Sequence, residues 1–415
     1  MTPRRVLIAA VALLVLGALG AGAAWWWNER QTRDVRGSST REFVTTEQTA
    51  TRPAEEVETE PWPIYGLTVD RTRNAIDFDH RPPFRRRWVA DAGRLMEFPP
   101  VIANGSLYFA NIRGALFAVD ADTGRRQWRR KFGYISAASP AVGDGVVYHP
   151  LLNQPGTERG PRSGLMVAVD AETGKDIWRF RTGAVESSPL LVNGTVYFGT
   201  FDRRVYALDA SSKRVRWTFE TGDAVKGGPA YWRGTIYTGS YDGKVYALDA
   251  RTGKLRWSSE GQAGLTGAGN FYAGPAVAYG RVYIGNTDGK VYAFGARSGD
   301  LIWAKSTGDF VYSSAAVADQ TVFVGSYDHR LYAFDAATGD EKWSFDAGGA
   351  VSGAPTVMEG LVYFSTLRGK TYALDARTGK REWTFPDGEY TPLVADEERA
   401  YIVGRSRVYA MTSRR

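Results

Sequence analysis

The sequence contains no cysteine and only three histidines, His80, His149 and His329, among its 415 residues. Without cysteine the chain forms no disulfide, no thiolate metal site, no covalent c-type haem attachment and no lipid-modified cysteine. No two of the histidines have the spacing of metal ligands, so we expect no metal centre built on histidine. The lack of cysteine does not argue against an oxidising compartment.

The motifs of several common enzyme classes are also missing. G-x-S-x-G, the Walker loop and G-x-G-x-x-G do not occur between a predicted strand and a predicted helix. The net charge of +7 comes mostly from scattered arginine, with runs at residues 85–87 and 129–131, and no nucleic-acid motif accompanies it. A solvated basic surface explains such a pattern. We therefore predict no catalytic residue, no cofactor or metal site and no nucleic-acid partner.

One motif repeats along most of the chain at a nearly constant spacing. Copies of A-x-D-x-x-T-G-x-x-x-W end at five tryptophans, and weaker copies end at two more: Trp128, Trp178, Trp257, Trp343 and Trp383, then Trp217 and Trp303. Counted from Trp88, the tryptophans of this motif are 40, 50, 39, 40, 46, 40 and 40 residues apart. A period of about 40 residues, made of four short strands, is typical of one blade of a β-propeller.

The two ends of the repeated region complement each other. Trp88 lies in a segment that has the pattern of a fourth strand without the first three. Residues 393–395, 400–403 and 408–411 have the pattern of three strands without a fourth. Pairing the two ends removes the exposed edges that an open sheet would carry. We therefore predict an all-β protein: an eight-bladed β-propeller over residues 81–415, closed by the N-terminal strand in the last blade and preceded by a lead-in segment over 61–80.

The N-terminal region predicts export. Arg4 and Arg5 precede an uncharged apolar run over residues 6–27 that is long enough to cross a bilayer as a helix. Basic residues before such a run favour a cytoplasmic end, here residues 1–5, and an extracytoplasmic location for everything after it. We expect a single-pass transmembrane signal-anchor in the cell membrane, with a signal peptide cleaved near residues 21–23 as the alternative. Residues 28–60 are polar and are predicted to form a disordered linker.

Two long loops mark one face of the predicted ring. Residues 151–163 lengthen a connection between second and third strands, and residues 261–272 lengthen the approach to an inner strand. Both kinds of connection lie on the same face, and binding sites are concentrated on such loops. Polar or aromatic residues that depart from the repeat on this face form the candidate binding surface: Arg113, Glu186, Lys226, Asn270, Tyr312, His329, Arg368 and Glu389. The recurring turn residues Asp202, Asp242, Asp288 and Asp328 are explained by backbone geometry.

The repeated motif, over residues 81–412, resembles the tryptophan-docking motif of the PQQ-like repeat family. That family includes the quinoprotein dehydrogenases and the outer-membrane assembly lipoproteins of the BamB type. The resemblance implies that each tryptophan docks on the neighbouring blade: Trp88, Trp128, Trp178, Trp217, Trp257, Trp303, Trp343 and Trp383. The dehydrogenases hold PQQ against a disulfide and bind calcium, whereas this chain has no cysteine and no identifiable counterpart of their calcium ligands or catalytic aspartate. The BamB type shares its size and blade number, although the lipid-modified cysteine is missing.

These observations favour a binding protein over an enzyme. We expect a membrane-anchored extracytoplasmic propeller that serves as a non-catalytic scaffold or receptor for envelope proteins, in envelope assembly or sensing. The alternative is a PQQ-dependent quinoprotein oxidoreductase that acts on alcohols or sugars. A ligand-sensing ectodomain of a signalling system is a third reading.

Overall fold

The structure, a computed structural model, describes residues 3–45, 60–154, 163–264, 267–390 and 392–414, without the side chains of residues 3–16 and 19. Within these residues there is one helix, α1 (Pro3–Thr32), and 32 strands that form eight four-stranded antiparallel sheets. The eight-bladed β-propeller predicted from the repeat is confirmed.

The first four blades follow each other along the chain, each running from an inner strand to an outer one. Their strands are β2 (Val101–Ala103), β3 (Ser106–Ala110), β4 (Ala115–Asp120) and β5 (Arg126–Lys131); β6 (Ala141–Gly143), β7 (Val146–Leu151), β8 (Gly164–Asp170) and β9 (Asp176–Thr182); β10 (Leu190–Val192), β11 (Thr195–Gly199), β12 (Arg204–Asp209) and β13 (Val215–Glu220); β14 (Ala230–Trp232), β15 (Thr235–Gly239), β16 (Lys244–Asp249) and β17 (Leu255–Glu260).

Blades five to seven repeat this order, and blade eight combines the two ends of the chain. Their strands are β18 (Ala276–Ala278), β19 (Arg281–Gly285), β20 (Lys290–Gly295) and β21 (Leu301–Ser306); β22 (Ala316–Ala318), β23 (Thr321–Gly325), β24 (Arg330–Asp335) and β25 (Glu341–Asp346); β26 (Thr356–Met358), β27 (Leu361–Thr366), β28 (Lys370–Asp375) and β29 (Arg381–Phe385); β30 (Leu393–Ala395), β31 (Ala400–Val403), β32 (Arg407–Ser413) and β1 (Phe84–Asp91).

The ring closes where β1 pairs with β32. The antiparallel register runs from Phe84 opposite Ser413 to Asp91 opposite Arg407, with one irregularity between Arg86 and Trp88. Every blade thereby has a complete set of four strands, so no sheet is left with a missing outer strand.

Packing between blades explains the sequence pattern of the strands. Second strands such as β11 and β15 are buried along their whole length, since each blade lies between two others. Outer strands such as β13 expose most of their residues to solvent. The apolar core is divided into clusters between neighbouring blades, and one of these joins Tyr197 and Trp217 of blade three to Leu248 of blade four.

The tryptophans of the outer strands lie at these blade interfaces. Seven indole N–H groups donate to a carbonyl of the next blade, at 2.9–3.1 Å: Trp88 to Ala121, Trp128 to Ala171, Trp178 to Ala210, Trp217 to Ala250, Trp257 to Ala296, Trp303 to Ala336 and Trp343 to Ala376. Trp383 packs edge-on against Phe84, with ring centroids 5.3 Å apart.

The lead-in segment fills the centre of the ring on one side. Its carbonyl oxygens accept hydrogen bonds from inner-strand N–H groups of blades one, two, four, five, six and seven, at 2.7–3.0 Å: Ile102 to Trp62, Val142 to Pro63, Tyr231 to Val69, Val277 to Asp70, Val317 to Thr72 and Val357 to Arg73. Arg71 is fully buried and donates to carbonyls of Tyr65, Ser188 and Pro229. The centre of the propeller is therefore blocked at this end and open at the other.

Part of the predicted linker is attached to the rim of the ring. Residues 33–44, which we call the N-terminal strap, lie along blades five and six. Val35 exchanges backbone hydrogen bonds with Ala304 on β21, and Arg36 forms an ion pair with Asp340. Arg281 donates to the carbonyls of Ser38 and Arg41. A disordered linker over the whole of 28–60 is thus wrong for the strap, because its backbone finds partners on β21 and on Arg281; residues 46–59 lie outside the described residues.

The predicted membrane anchor over residues 6–27 lies within α1, and the side chains of 6–16 and 19 are outside those described. Among the described residues, none of the helices combines the length and the apolar character that a membrane span requires. The structure therefore does not confirm the anchor.

Candidate functional site

The open end of the central channel forms a cup at the face that carries the approach segments. Its volume is about 730 Å³, and its lining comes from all eight blades. Tyr65 of the lead-in segment is part of this lining, and Arg71 lies against the ring of Tyr65 at 5.5 Å. Because the lead-in segment blocks the far end, the cup is a blind site and not a passage through the ring.

Each blade has one residue at an equivalent position near the cup. This position lies four residues before the first residue of the inner strand, where the approach segment passes the axis. The eight residues are Glu97, Ala137, Glu186, Lys226, Tyr272, Tyr312, Ser352 and Glu389, and all of them except Glu389 line the cup. In blades four to seven the residue just before this position donates its backbone N–H to the turn of the preceding blade: Val225 to Thr200, Phe271 to Ser240, Val311 to Asn286 and Val351 to Ser326. Because the backbone is held in this way, the side chain at the position can vary, and the ring carries different chemistry on its two sides.

One side of the cup is aromatic. We call Tyr241, Tyr272, Tyr312 and Tyr327 the tyrosine arc. Neighbouring ring centroids along the arc are 6.2, 4.8 and 5.0 Å apart, and the rings of the two closer pairs meet edge to face. Two members come from the approach segments and two from the turn after a second strand, so adjacent blades build a continuous aromatic wall.

The other side of the cup is acidic. We call Glu97 and Glu186, which line the cup, and Glu389, which is next to the lining residue Tyr390, the acidic arc. Burial, together with the charges of Glu186 and Glu389, raises the pKa of Glu97 to about 7. Burial also raises the pKa of Glu389, against the effect of Arg405, whose Nε lies 3.4 Å from its carboxylate. A proton or another positive charge is therefore favoured at Glu97.

Lys226 joins the two sides. Its ammonium lies 4.6 Å from the ring centre of Phe201, 4.5 Å from that of Tyr241 and 3.7 Å from a carboxylate oxygen of Glu186. The hydroxyl of Tyr272 donates to Glu186 at 2.5 Å, and burial with the Glu186 charge raises the pKa of Tyr272 well above its usual value. The cup thus already holds one ammonium by cation–π contacts and an ion pair.

Of the eight binding residues predicted from the sequence, four line the cup and four do not. Arg113, Glu186, Lys226 and Tyr312 line the cup. Asn270 lies two residues before Tyr272, and its backbone N–H donates to Thr287 Oγ1 at 2.7 Å. The remaining three are placed as follows: His329 takes a left-handed turn conformation with φ of 75°, Arg368 is exposed beside Gly349, and Glu389 pairs with Arg405.

Sequence reasoning missed Glu97, Tyr241, Tyr272, Tyr327 and Tyr390, all of which line the cup. A signal for four of them is present when the repeats are aligned on the inner strand instead of on the tryptophan. Glu97 and Tyr272 then occupy the position of Glu186, and Tyr241 and Tyr327 precede the aspartate of the turn.

His149 on β7 is buried away from solvent, and within the described residues neither of its ring nitrogens has a hydrogen-bond partner. Burial lowers the pKa of His149 to about 3, so the ring is neutral at neutral pH. In the same described part of the chain, no group of three or more His, Cys, Asp or Glu side chains is arranged to hold a metal ion.

The charges in the cup are unfavourable for PQQ, the cofactor of the dehydrogenases whose repeat this chain resembles. PQQ is a planar polycarboxylate, and it would meet Glu97, whose own ionisation is opposed by burial and by two further carboxylates. The ammonium of Lys226, one of the cations that line the cup, is already paired with Glu186. Like charges in a partly buried site repel, so this donor set disfavours an anionic cofactor.

Comparison with known proteins matches the chain to two family models. The model described as outer membrane protein assembly factor BamB matches residues 159–225, 204–309 and 287–415, which together span more than half of the chain. The model described as glucose/ethanol/alcohol dehydrogenase, beta-propeller domain, matches residues 83–185.

Individual relatives are more distant. Outer membrane protein assembly factor BamB of Burkholderia pseudomallei is 29% identical over 135 residues, which is 32% of this chain and 32% of that protein, about a third of its length. The crystal structure of BamB from Moraxella catarrhalis has a TM-score of 0.63 at 18% identity, over 79% of this chain and 99% of that one. Quinohemoprotein alcohol dehydrogenase from Comamonas testosteroni has a TM-score of 0.71 at 15% identity, over 95% of this chain and 85% of that one. At these identities the two structures show a shared fold.

Proposed function

This chain belongs to the β-propeller family described as outer membrane protein assembly factor BamB, and we propose that it is a non-catalytic binding protein that holds envelope proteins on the face of the cup. The observation that carries this function is the composition of the cup: a blind site to which every blade contributes, with carboxylates on one side and tyrosines on the other. Tyrosine-rich surfaces on a rigid frame are typical of protein recognition.

The chemistry of the cup also favours binding over catalysis. The proposed face offers a partly buried carboxylate, an ion pair and tyrosine rings that meet edge to face, and these groups recognise a partner without a nucleophile or a metal. The matched relatives are named for outer membrane protein assembly, which supports partners in the envelope.

The location that accompanies this function is the extracytoplasmic side of the cell membrane. The apolar run over residues 6–27 behind Arg4 and Arg5 supports export and attachment at the N-terminus. Alkaline extraction of membranes from cells that produce the full chain tests the attachment: we expect the protein in the membrane pellet, and release into the supernatant would contradict it.

Site-directed photo-crosslinking in intact envelopes tests the binding face. A photo-reactive residue at Arg113, exposed at the rim of the cup, is expected to capture partner proteins; the same residue at Val215, exposed on the outer strand β13, is the matched control. Charge reversal by Lys226→Glu or Glu389→Lys should reduce capture at 113. Equal capture from both positions, or capture unaffected by either reversal, would reject this face as the binding surface.

A PQQ-dependent oxidoreductase is the alternative, favoured by the match of residues 83–185 to the dehydrogenase propeller model. Titration of the purified chain with PQQ and calcium, followed by tryptophan fluorescence and a dye-linked alcohol or sugar assay, separates the two functions. A binding protein gives no turnover in that assay, and sustained dye reduction that depends on PQQ would establish the enzyme instead.

A further inference from the structure

The cup contains a carboxylate and aromatic rings in an arrangement that suits a positively charged guest. The charges that raise the pKa of Glu97 belong to two other glutamates, so the local potential at this side chain is negative. Burial raises the pKa of Tyr272 and of Tyr390, and the negative charge of Glu97 raises both pKa values further. Glu97 and both tyrosines line the same cup.

The nearby cations do not neutralise this side of the cup. The Lys226 ammonium lies beside Glu186, and only 16% and 14% of the two side chains are exposed. Arg405 is 74% exposed and lies at Glu389, and Arg113 is exposed at the rim. Water screens charges at the rim far more than charges inside the cup, so Glu97 remains the carboxylate that a guest cation would meet.

Lys226 shows that this wall binds ammonium groups. Three rings, those of Phe201, Tyr241 and Tyr272, lie 4.5–5.7 Å from its Nζ. The tyrosine arc continues beyond Lys226 to Tyr312 and Tyr327, whose ring centroids are 5.0 Å apart. The faces of these rings carry the same negative quadrupole that attracts Lys226.

We propose that the cup binds an organic cation, an alkylammonium group held between Glu97 and the tyrosine arc. The same chemistry is offered by a lysine side chain of a partner protein and by a free aliphatic polyamine. At about 730 Å³ the cup is large enough to take the alkyl chain together with its ammonium group. Because this site lies on the face assigned to partner binding, the inference rests on the proposed function and names the group that is recognised.

Calorimetric titration of the purified full-length chain tests the cation site. The probes are spermidine, cadaverine and a terminally blocked lysine peptide, with the Nε-acetylated form of that peptide as the uncharged control. We expect saturable binding of at least one amine, none of the acetylated peptide, and at least tenfold weaker binding after Glu97→Gln. Tyr312→Leu should weaken binding in the same way, whereas Tyr312→Phe, which keeps the ring, should not.

The affinity should also depend on pH. An alkylammonium stays protonated up to pH 8 because its pKa is about 10.4. Glu97 shares the cup with Glu186, Tyr272, Tyr390, Lys226 and Arg113, and it is affected by the charge of Glu389, which is paired with Arg405. It loses its proton around neutral pH. Binding should therefore tighten several-fold between pH 6 and 8 in the natural chain and stay constant in Glu97→Gln.

The results of the titration distinguish a lysine side chain from a free polyamine as the source of the cation. Together with the crosslinking experiment, they also distinguish failure of the cation site from failure of the proposed function. Tighter binding of the lysine peptide supports a partner side chain, and tighter binding of spermidine supports a free polyamine. Absence of saturable binding by every amine between pH 6 and 8, or binding that neither Glu97→Gln nor Tyr312→Leu changes, would overturn the cation site. Crosslinking from Arg113 needs no amine, so its success beside a failed titration would reject the cation site alone.

Discussion

Glu97 shows how one side chain links stability to binding. Its pKa is raised from 4.5 to about 7, first by burial and then by the charges of Glu186 and Glu389. The folded chain therefore holds a proton on Glu97 that the unfolded chain releases above pH 4.5. Stability is unaffected by this group below about pH 4.5, falls as the pH rises from there to 7, and stays reduced above 7.

We predict that Glu97→Gln stabilises the protein at alkaline pH only. The amide has the shape of the carboxyl group without its charge, so at pH 8 the free energy of unfolding should rise by about 1–2 kcal/mol, after discounting for screening by water. At pH 4.5 the two proteins should be equally stable. Urea denaturation at both pH values measures the difference. The lowered pKa of His149 makes the stability of the protein rise with pH in the acidic range. Because His149 is present in both proteins, this contribution cancels in the comparison.

The control for this prediction is Glu382→Gln, at an exposed position of the outer strand β29. Its stability should match that of the natural chain at both pH values. Equal effects of Glu97→Gln at pH 4.5 and pH 8, or a loss of stability at pH 8, would contradict the account of Glu97.

The turn between third and outer strands is the element that joins one blade to the next. In blade four, Asp249 accepts hydrogen bonds from the backbone and side chain of Thr252, at 2.9 and 2.8 Å. Gly253 has a φ of 70°, and the ring of Trp217 from blade three lies directly over it. The absence of a side chain at Gly253 thus serves both the turn and the docking of the tryptophan.

We predict that Gly253→Ala costs more than Gly105→Ala, although the two glycines have nearly equal φ of 70° and 68°. A Cβ at 253 would lie 2.6 Å from the Trp217 ring, whereas nothing lies within 4 Å of one at 105. Backbone strain alone should cost about 1 kcal/mol at 105, and strain plus displacement of the ring about 2–4 kcal/mol at 253. Thermal and urea denaturation of the two variants give the comparison, and equal losses would show that the tryptophan adapts without cost.

At the scale of the whole molecule, closure makes the ends of the repeated region interdependent. β32 pairs with β1 on one side and with β31 on the other, so residues more than 300 positions apart share one sheet. Removing β32 would leave β1 without a sheet and would expose the edge of β31.

We predict that a chain ending at Gly404 does not form the closed ring, whereas a chain ending at Ser413 does. The chain ending at Ser413 lacks only residues 414–415. The loss of Arg414 removes one backbone hydrogen bond, from the N–H of Arg414 to the carbonyl of Pro83 at 2.8 Å. Size-exclusion chromatography and circular dichroism should show an aggregated or partly unfolded protein for the chain ending at 404. The chain ending at 413 should stay within about 1 kcal/mol of the natural one. A soluble, cooperatively folding chain ending at 404 would show that seven blades suffice.

The sequence by itself determined the architecture because the signals for it are local. In the five full copies of the motif, the aspartate, threonine, glycine and tryptophan lie within eleven residues and specify one turn and one docking contact, as Asp249 and Gly253 illustrate. The count of repeats and the unpaired strand at Trp88 then implied eight blades and their closure. The same register placed Glu186, Lys226 and Tyr312 near the axis.

Only the tertiary structure decided what the centre of the ring contains. Glu97 is affected by the charge of Glu389, Tyr272 donates to Glu186, and Arg71 donates to Ser188, and the two members of each pair lie at least 86 positions apart in the chain. The strap is a similar case, since Arg281 fixes a polar segment whose composition predicts disorder. A propeller brings its loops together around an axis that lies outside every single repeat, so the local pattern determines the frame and the geometry of the closed ring determines the site.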